Sequence, residues 1–178
     1  MSNILQLILF SIFSLALFSC SANLGFKPET TISGFDQSKT VYIRPHGNLV
    51  NNAWSLSEQG SSLGAEWSES NGNRALLHLK IAGSEYFGIT KLHLNIDGVK
   101  SSLKANGVTD FEINSLSLKT SSQSFATDLK TIENLAYAKN AWLRIFTTDG
   151  YLENAVVKDG VGGKSYYALQ RFMDEVKK

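Results

Sequence analysis

Between residues 75 and 96 apolar and polar side chains alternate almost one for one. Ala75, Leu77, Leu79 and Ile81 alternate with Leu76, His78 and Lys80, and Leu92, Leu94 and Ile96 alternate with Lys91, His93 and Asn95. A period of two is the geometry of a strand with one core face and one wetter face, and no helix can bury such a pattern on one side. Asp97-Gly98 is a strong two-residue hairpin signal, and Val99 to Ala105 reads as the returning strand. Asn106-Gly107 marks another turn, with strands expected near 108–113 and 115–126. Upstream, Thr40–Ile43 reads as a short strand ended by Arg44-Pro45-His46-Gly47-Asn48, a turn by composition. Residues 49–61 read as loop and Leu63–Ser68 as a strand. Ala141–Thr147 is apolar on both faces, Trp142 and Phe146 on one and Leu143 and Ile145 on the other, as a central strand is. Asp149-Gly150 turns it into Tyr151–Val157.

Two segments break this rhythm. From about 128 to 139, Leu129, Ile132, Leu135 and Ala136 fall on one helical face behind a capping Thr127 or Asp128. From about 165 to 177, Leu169, Phe172, Met173 and Val176 form a second apolar stripe, with Ser165 as the expected cap and Lys177 and Lys178 at the negative end of the helix dipole. Many strands joined by short turns, with only two helices, leave no room for βαβ crossovers. The expected fold is α+β and mainly antiparallel β, a sheet or sandwich with both helices packed on it.

The charge balance excludes one class of partner. The chain has 178 residues with 17 basic and 16 acidic side chains, a formal net charge of +1. A nucleic-acid partner requires a strong positive bias, so none is expected.

The N-terminus carries an address. Ile4–Phe18 is apolar apart from Gln6, Ser11 and Ser14, which suits a signal-peptide core and falls short of the ~20 residues of a spanning helix. Leu17-Phe18-Ser19-Cys20 resembles the lipobox of bacterial lipoproteins, although Phe18 is bulkier than usual and Met1-Ser2-Asn3 lacks a basic residue. The resemblance implies a signal peptide over 1–19, removed to leave Cys20 as a lipidated first residue. Cys20 is the single cysteine, so an exported chain has no disulfide to form. Membrane attachment through the lipid on Cys20 then follows, each buried CH₂ adding ~0.8 kcal/mol. In lipoproteins of enteric bacteria Asp after the cysteine often marks inner-membrane retention, so with Ser21 at that position the resemblance implies outer-membrane rather than inner-membrane anchoring. Residues 20–39 are polar and turn-forming and read as the lipidated cysteine and a flexible tether, reaching up to ~60 Å when extended, before a single globular domain over 40–178.

Three motifs suggest catalysis, and each lacks the context its chemistry needs. Gly60-Ser61-Ser62-Leu63-Gly64 matches the nucleophile-elbow pattern, but no buried strand precedes it and turn-forming residues follow where a helix is required. Gly162-Gly163-Lys164-Ser165 resembles the end of a phosphate-binding loop, yet Lys158 occupies the position of the first glycine. Ser101-Ser102-Leu103-Lys104 contains the acylating S-x-x-K pattern but lies on an expected strand, with no Lys-Thr-Gly after it.

The histidines support one geometric expectation. If the strands around 75–82 and 90–97 pair through a connection centred on 85–86, His78 stands opposite His93 on the wetter face, with Cβ atoms ~4.5–5.5 Å apart. Two imidazoles at that distance can share a metal, although no spacing nominates a third ligand. The same register opposes Lys80 and Lys91, which is unfavourable. His46, beside Arg44 and Pro45, reads as a turn residue. Among the aromatics, Trp54, Trp67, Tyr86, Phe87, Tyr166 and Tyr167 do not all fit core stripes, and an exposed subset would mark a ligand or partner surface.

Val41–Asn48, Leu63–Trp67, Leu94–Gly98, Trp142–Phe146, Gly150-Tyr151 and Ala168–Phe172 together resemble an uncharacterised family of Gram-negative bacterial envelope lipoproteins. The resemblance implies no activity, and no functional residue is carried over from it. Two functions follow from the residues. One is a non-catalytic binding or structural module with no cofactor, whose partner is an envelope protein, glycan or lipid. The other is a small metal-dependent or hydrolytic envelope protein using His78 and His93, with Glu66 or Glu69 as a further ligand. The absence of a convincing acid, base and nucleophile constellation favours the first.

Overall fold

The computed structural model describes residues 26–49, 60–113 and 118–178. Residues 1–19, expected to form a signal peptide, and Cys20 and Trp54 lie outside them. Eleven strands and two helices form the described part: β1 (Glu29–Ile32), β2 (Lys39–Gly47), β3 (Gly60–Ser68), β4 (Arg74–Gly83), β5 (Ile89–Ile96), β6 (Val99–Lys104), β7 (Asp110–Ile113), β8 (Lys119–Asp128), α1 (Leu129–Tyr137), β9 (Ala141–Thr147), β10 (Gly150–Lys158), β11 (Val161–Gly162) and α2 (Lys164–Val176). Every pairing is antiparallel. A six-stranded sheet runs β1-β2-β3-β4-β8-β7 and a five-stranded sheet runs β11-β10-β9-β5-β6. Single bridges join them at two corners, Leu49 to Ala155 and Ala105 to Phe125. The path β2-β3-β4-β8-β6-β5-β9-β10 therefore nearly closes on itself as a flattened barrel.

Alternation puts the core where the sequence expects it. Ala75, Leu77, Leu79 and Ile81 of β4 are buried, as are Leu92 and Leu94 of β5 and Leu143 and Ile145 of β9. Val41, Ile43, Leu63 and Ala65 extend this layer across β2 and β3. Both helices lie on the same interior side. Ile132, Leu135 and Ala136 of α1 and Ala168, Leu169, Phe172 and Met173 of α2 join one apolar cluster with the strand residues. α2 packs on β2 and β3 and against α1. Asp128 caps α1, its carboxylate accepting from the Thr131 N–H at 2.5 Å.

Four expectations are corrected. The strand pair β4–β5 does not form: β4 pairs with β3 and β8, whereas β5 pairs with β6 and β9. Residues 84–88 arch from one sheet to the other, so the leucines of β4 and β5 belong to opposite walls of the core. Phe87 is buried in that arch and its N–H donates to Ser121 Oγ at 2.8 Å. Lys80, which would have opposed Lys91, instead faces Glu112 at 3.7 Å. Second, Arg44–Gly47 is no turn but a continuation of β2 through a bulge between Ile43 and His46. A bulge is where a strand tolerates proline, because no ladder N–H is required there. Third, the region read as tether contains β1, paired with β2 from Glu29↔Tyr42 to Ile32↔Lys39, and Phe26 packs on the core. Fourth, Ser165 is not the cap of α2. Gly163 holds that position, and the buried Ser165 hydroxyl donates to Asn48 Oδ1 while Asn48 Nδ2 donates to Ser61 Oγ at 2.8 Å. This hydrogen-bonded chain ties α2 to the ends of β2 and β3.

Candidate functional site

The outer faces of the two sheets carry the polar and aromatic residues that the core does not use, and they differ in character. On the six-stranded sheet His78 is the centre. Register places it between Gly64 of β3 and Ser124 of β8. His78 Nδ1 lies 2.9 Å from Ser124 Oγ, the Tyr42 ring meets the imidazole edge-on at 5.7 Å, and Glu66 Oε2 is 3.4 Å from Nε2. That last contact is an ion pair when the ring is protonated and too long for a good hydrogen bond, consistent with an Nε2 that has no hydrogen-bond partner. Burial pushes the His78 pKa below its ordinary value, and Glu66 offsets this only in part.

Serine, histidine and carboxylate together suggest acyl transfer, but the surroundings do not provide for it. Ser124 sits mid-strand, where N–H groups lie in the plane of the sheet while Oγ projects from its face. Ser62 of the elbow-like motif is likewise within β3, opposite Lys80, and the strand runs on to Ser68 and a single 3-10 turn (Glu69–Asn71) rather than bending into an α-helix after the serine. Ser101–Lys104 lies on β6, as expected.

His78 has a consequence for stability instead. In the unfolded chain the ring ionises near 6.5, and in the fold it ionises at lower pH. The unfolded state therefore binds more protons as pH falls through that value, so stability falls with it and levels off below the folded-state pKa. His46 contributes in the same direction: burial, Arg44 and Lys164 all lower its pKa, and its ring packs edge-on against Phe26 at 4.8 Å. Denaturant titrations between about pH 8 and about pH 5 should show this loss, and His78→Gln should flatten the curve. An unchanged slope in that variant would remove His78 as the source.

The expected metal pair is absent. His93 lies on the outer face of the five-stranded sheet, between Ser102 of β6 and Arg144 of β9, so His78 and His93 occupy different sheets. Both strands alternate as expected, but alternation does not say which partner a strand takes. Among the described residues no cluster of three or more His, Cys, Asp or Glu is placed to hold a metal.

The outer face of the five-stranded sheet is the richer surface. Register sets its side chains in three rows across β6, β5, β9 and β10: Lys104–Lys91–Phe146–Tyr151, Ser102–His93–Arg144–Glu153 and Lys100–Asn95–Trp142–Ala155. Apart from Ala155, buried where Leu49 bridges it, all are exposed or half-buried. Lys91 Nζ lies 5.5 Å from the Phe146 ring centre, and the Arg144 guanidinium lies 4.9 Å from that of Tyr151. Arg144 Nε donates to Glu153 Oε1 at 2.6 Å, and His93 meets Phe146 edge-on at 4.7 Å. Between the second and third rows runs an open groove of about 440 Å³ lined by His93, Asn95, Lys100, Trp142, Arg144 and Glu153. Asn95 Oδ1 is buried without a donor.

Alternation along the sequence places Lys91, His93 and Asn95 on one face of β5, and Trp142 and Phe146 on one face of β9. Extending the same alternation to Arg144, Tyr151 and Glu153 identifies each strand's share of the surface, but joining them needs the pairing β6-β5-β9-β10. Of the aromatics singled out earlier, Phe87 is buried, Trp67 donates Nε1–H to Gly72 O at 2.6 Å, and Tyr86 and Tyr167 are exposed. No helix among the described residues is long and apolar enough to cross a membrane. No protein-family model, curated protein or solved structure matches the chain.

Proposed function

We propose that this chain is an exported envelope lipoprotein, anchored to the outer membrane through a lipid on Cys20, that acts as a non-catalytic binding module. Its ligand surface is the outer face of the five-stranded sheet. The observation that carries this reading is the three-row array of half-exposed aromatic and cationic side chains around an open groove. Aromatic rings and arginine on a face that no other described element covers are the residue types that anchor partners, and a concave site with a few directed polar groups is the usual form of a ligand pocket. Lipid on Cys20 would hold that face at the membrane surface, with the residues before β1 as spacer.

Two readouts test the two halves of the proposal. Radiolabelled palmitate should enter the native chain and not Cys20→Ala, and the variant should leave the outer-membrane fraction. A photo-cross-linking residue at position 102, on the proposed face, should give an envelope adduct that the same residue at position 122, on the other sheet, does not. Equal labelling of native and Cys20→Ala protein would remove the anchor. Equal adducts from both positions, or none from either, would remove the surface.

A further inference from the structure

We infer that the ligand of this face is an anionic polysaccharide, an inference that rests on the surface assigned above. Three features of the face each demand a different property of the ligand.

The first is charge. Lys91, Lys100, Lys104 and Arg144 stand on the face against a single carboxylate, Glu153, in a chain whose formal net charge is only +1. Lys91 and Lys104 are directly opposed across β5 and β6. Like charges at that separation repel, and the register retains the pair. Arg144 already has its carboxylate in Glu153, but among the hydrogen bonds and ion pairs of the described residues the three lysines have no acidic partner. An anion bridging Lys91 and Lys104 relieves their repulsion, so the ligand carries negative charge.

The second is an unmet acceptor. Asn95 Oδ1 lies at the groove, buried, with no donor from the protein. A phosphate or carboxylate only accepts hydrogen bonds, whereas a hydroxyl donates one. A ligand that bears hydroxyls beside its acid groups fits both the lysines and this acceptor.

The third is shape. Trp142 and Phe146 lie on the same face of β9 with Arg144 between them, a span of ~13 Å along the strand. That span exceeds one sugar ring, and the flat C–H faces of successive pyranoses suit such rings. A chain of acidic sugars, bearing either uronate or phosphate groups, meets all three demands. An anionic phospholipid surface meets the charge demand. However, these rings lie at the level of the strands rather than on a protruding loop, and a flat headgroup layer reaches the rim of a groove more readily than Asn95 at its lining.

The test uses full-length protein in detergent and four immobilised probes: polygalacturonate, phosphomannan, neutral dextran, and phosphatidylglycerol vesicles. Binding is expected to one or both acidic glycans and not to dextran, falling at least about tenfold as salt rises from about 50 to about 200 mM. The triple variant Lys91→Gln/Lys100→Gln/Lys104→Gln is expected to lose about tenfold or more in affinity and most of the salt dependence, with a melting transition no lower than native, because all three side chains are exposed and the Lys91–Lys104 repulsion is removed. Asn95→Asp, which adds a negative charge at the groove, should weaken binding further. Which acidic glycan binds distinguishes uronate from phosphate as the recognised acid. Equal binding to dextran would overturn the charge argument, and binding to vesicles alone would make the face a membrane-docking surface. If all four probes fail while the position-102 adduct persists, the ligand class is wrong and the binding surface stands. If the adduct is lost as well, both fall.

Discussion

Truncating Phe172 to alanine is expected to destabilise the fold by about 3–5 kcal/mol. Phe172 is the largest side chain of the buried α2 stripe and is completely inaccessible. It packs within the cluster that joins α2 to β2, β3 and α1. Removing the ring forfeits its transfer free energy and leaves a cavity that close-packed neighbours cannot fill. The sheet cannot collapse onto the vacancy, because β2 and β3 are held in register by their ladder and by the Ser165–Asn48–Ser61 chain. Against a typical domain stability of about 5–15 kcal/mol this is a large share. Urea unfolding should show a lower midpoint with an unchanged slope. Tyr167→Ala, on the exposed side of the same helix with its ring edge-on to Tyr166 at 5.4 Å, serves as control and should cost no more than about 1.5 kcal/mol. Similar losses from the two variants would mean that α2 is not docked as described.

Gly64→Ala should also be costly, by about 1–3 kcal/mol or more, for the opposite reason. No positive φ is involved. A Cβ at position 64 would meet Arg44 C and Pro45 N at 2.7 Å, and the Ile43 carbonyl oxygen more closely still. All three are backbone atoms of the β2 bulge, which lies directly against Gly64. They cannot rotate away as a side chain can, so the bulge must unbind from β3 or β3 must shift against β4. The shift would also displace His78, whose register partner on β3 is Gly64. The variant should therefore lower the melting temperature and, by NMR, move the His78 imidazole resonances. Gly47→Ala is the matched control, since nothing lies within 4 Å of a Cβ there. If Gly64→Ala is as stable as Gly47→Ala, the close approach of the bulge is wrong.

These two positions differ in how visible they are in the sequence. Phe172 belongs to a stripe with Leu169, Met173 and Val176 that any helical reading places in the core. Gly64 sits in a run that looks like a catalytic elbow, and its role depends on Pro45, nineteen positions away in sequence and in contact only because β2 bulges against β3. The proposed ligand face shows the same division. Alternation assigns Lys91, His93 and Asn95 to one side of β5, and Trp142, Arg144 and Phe146 to one side of β9. That β9, rather than β4, lies beside β5 cannot be read from either strand.

Local patterning by itself determined most of the element types, the antiparallel class, both helices, the Asp97-Gly98 turn and most of the core, because period and turn chemistry are properties of a few consecutive residues. It missed β1 and the strand through Pro45, which exist only because β2 has partners on both sides. Only the tertiary structure decided the strand order, and with it whether His78 and His93 meet. A hairpin and an arch between two sheets bury the same alternating leucines, so side-chain periodicity is equally satisfied by both. What separates them is the long-range sum: Phe87 buried in the arch, Lys80 beside Glu112 rather than Lys91, and two sheets enclosing a core that one hairpin could not.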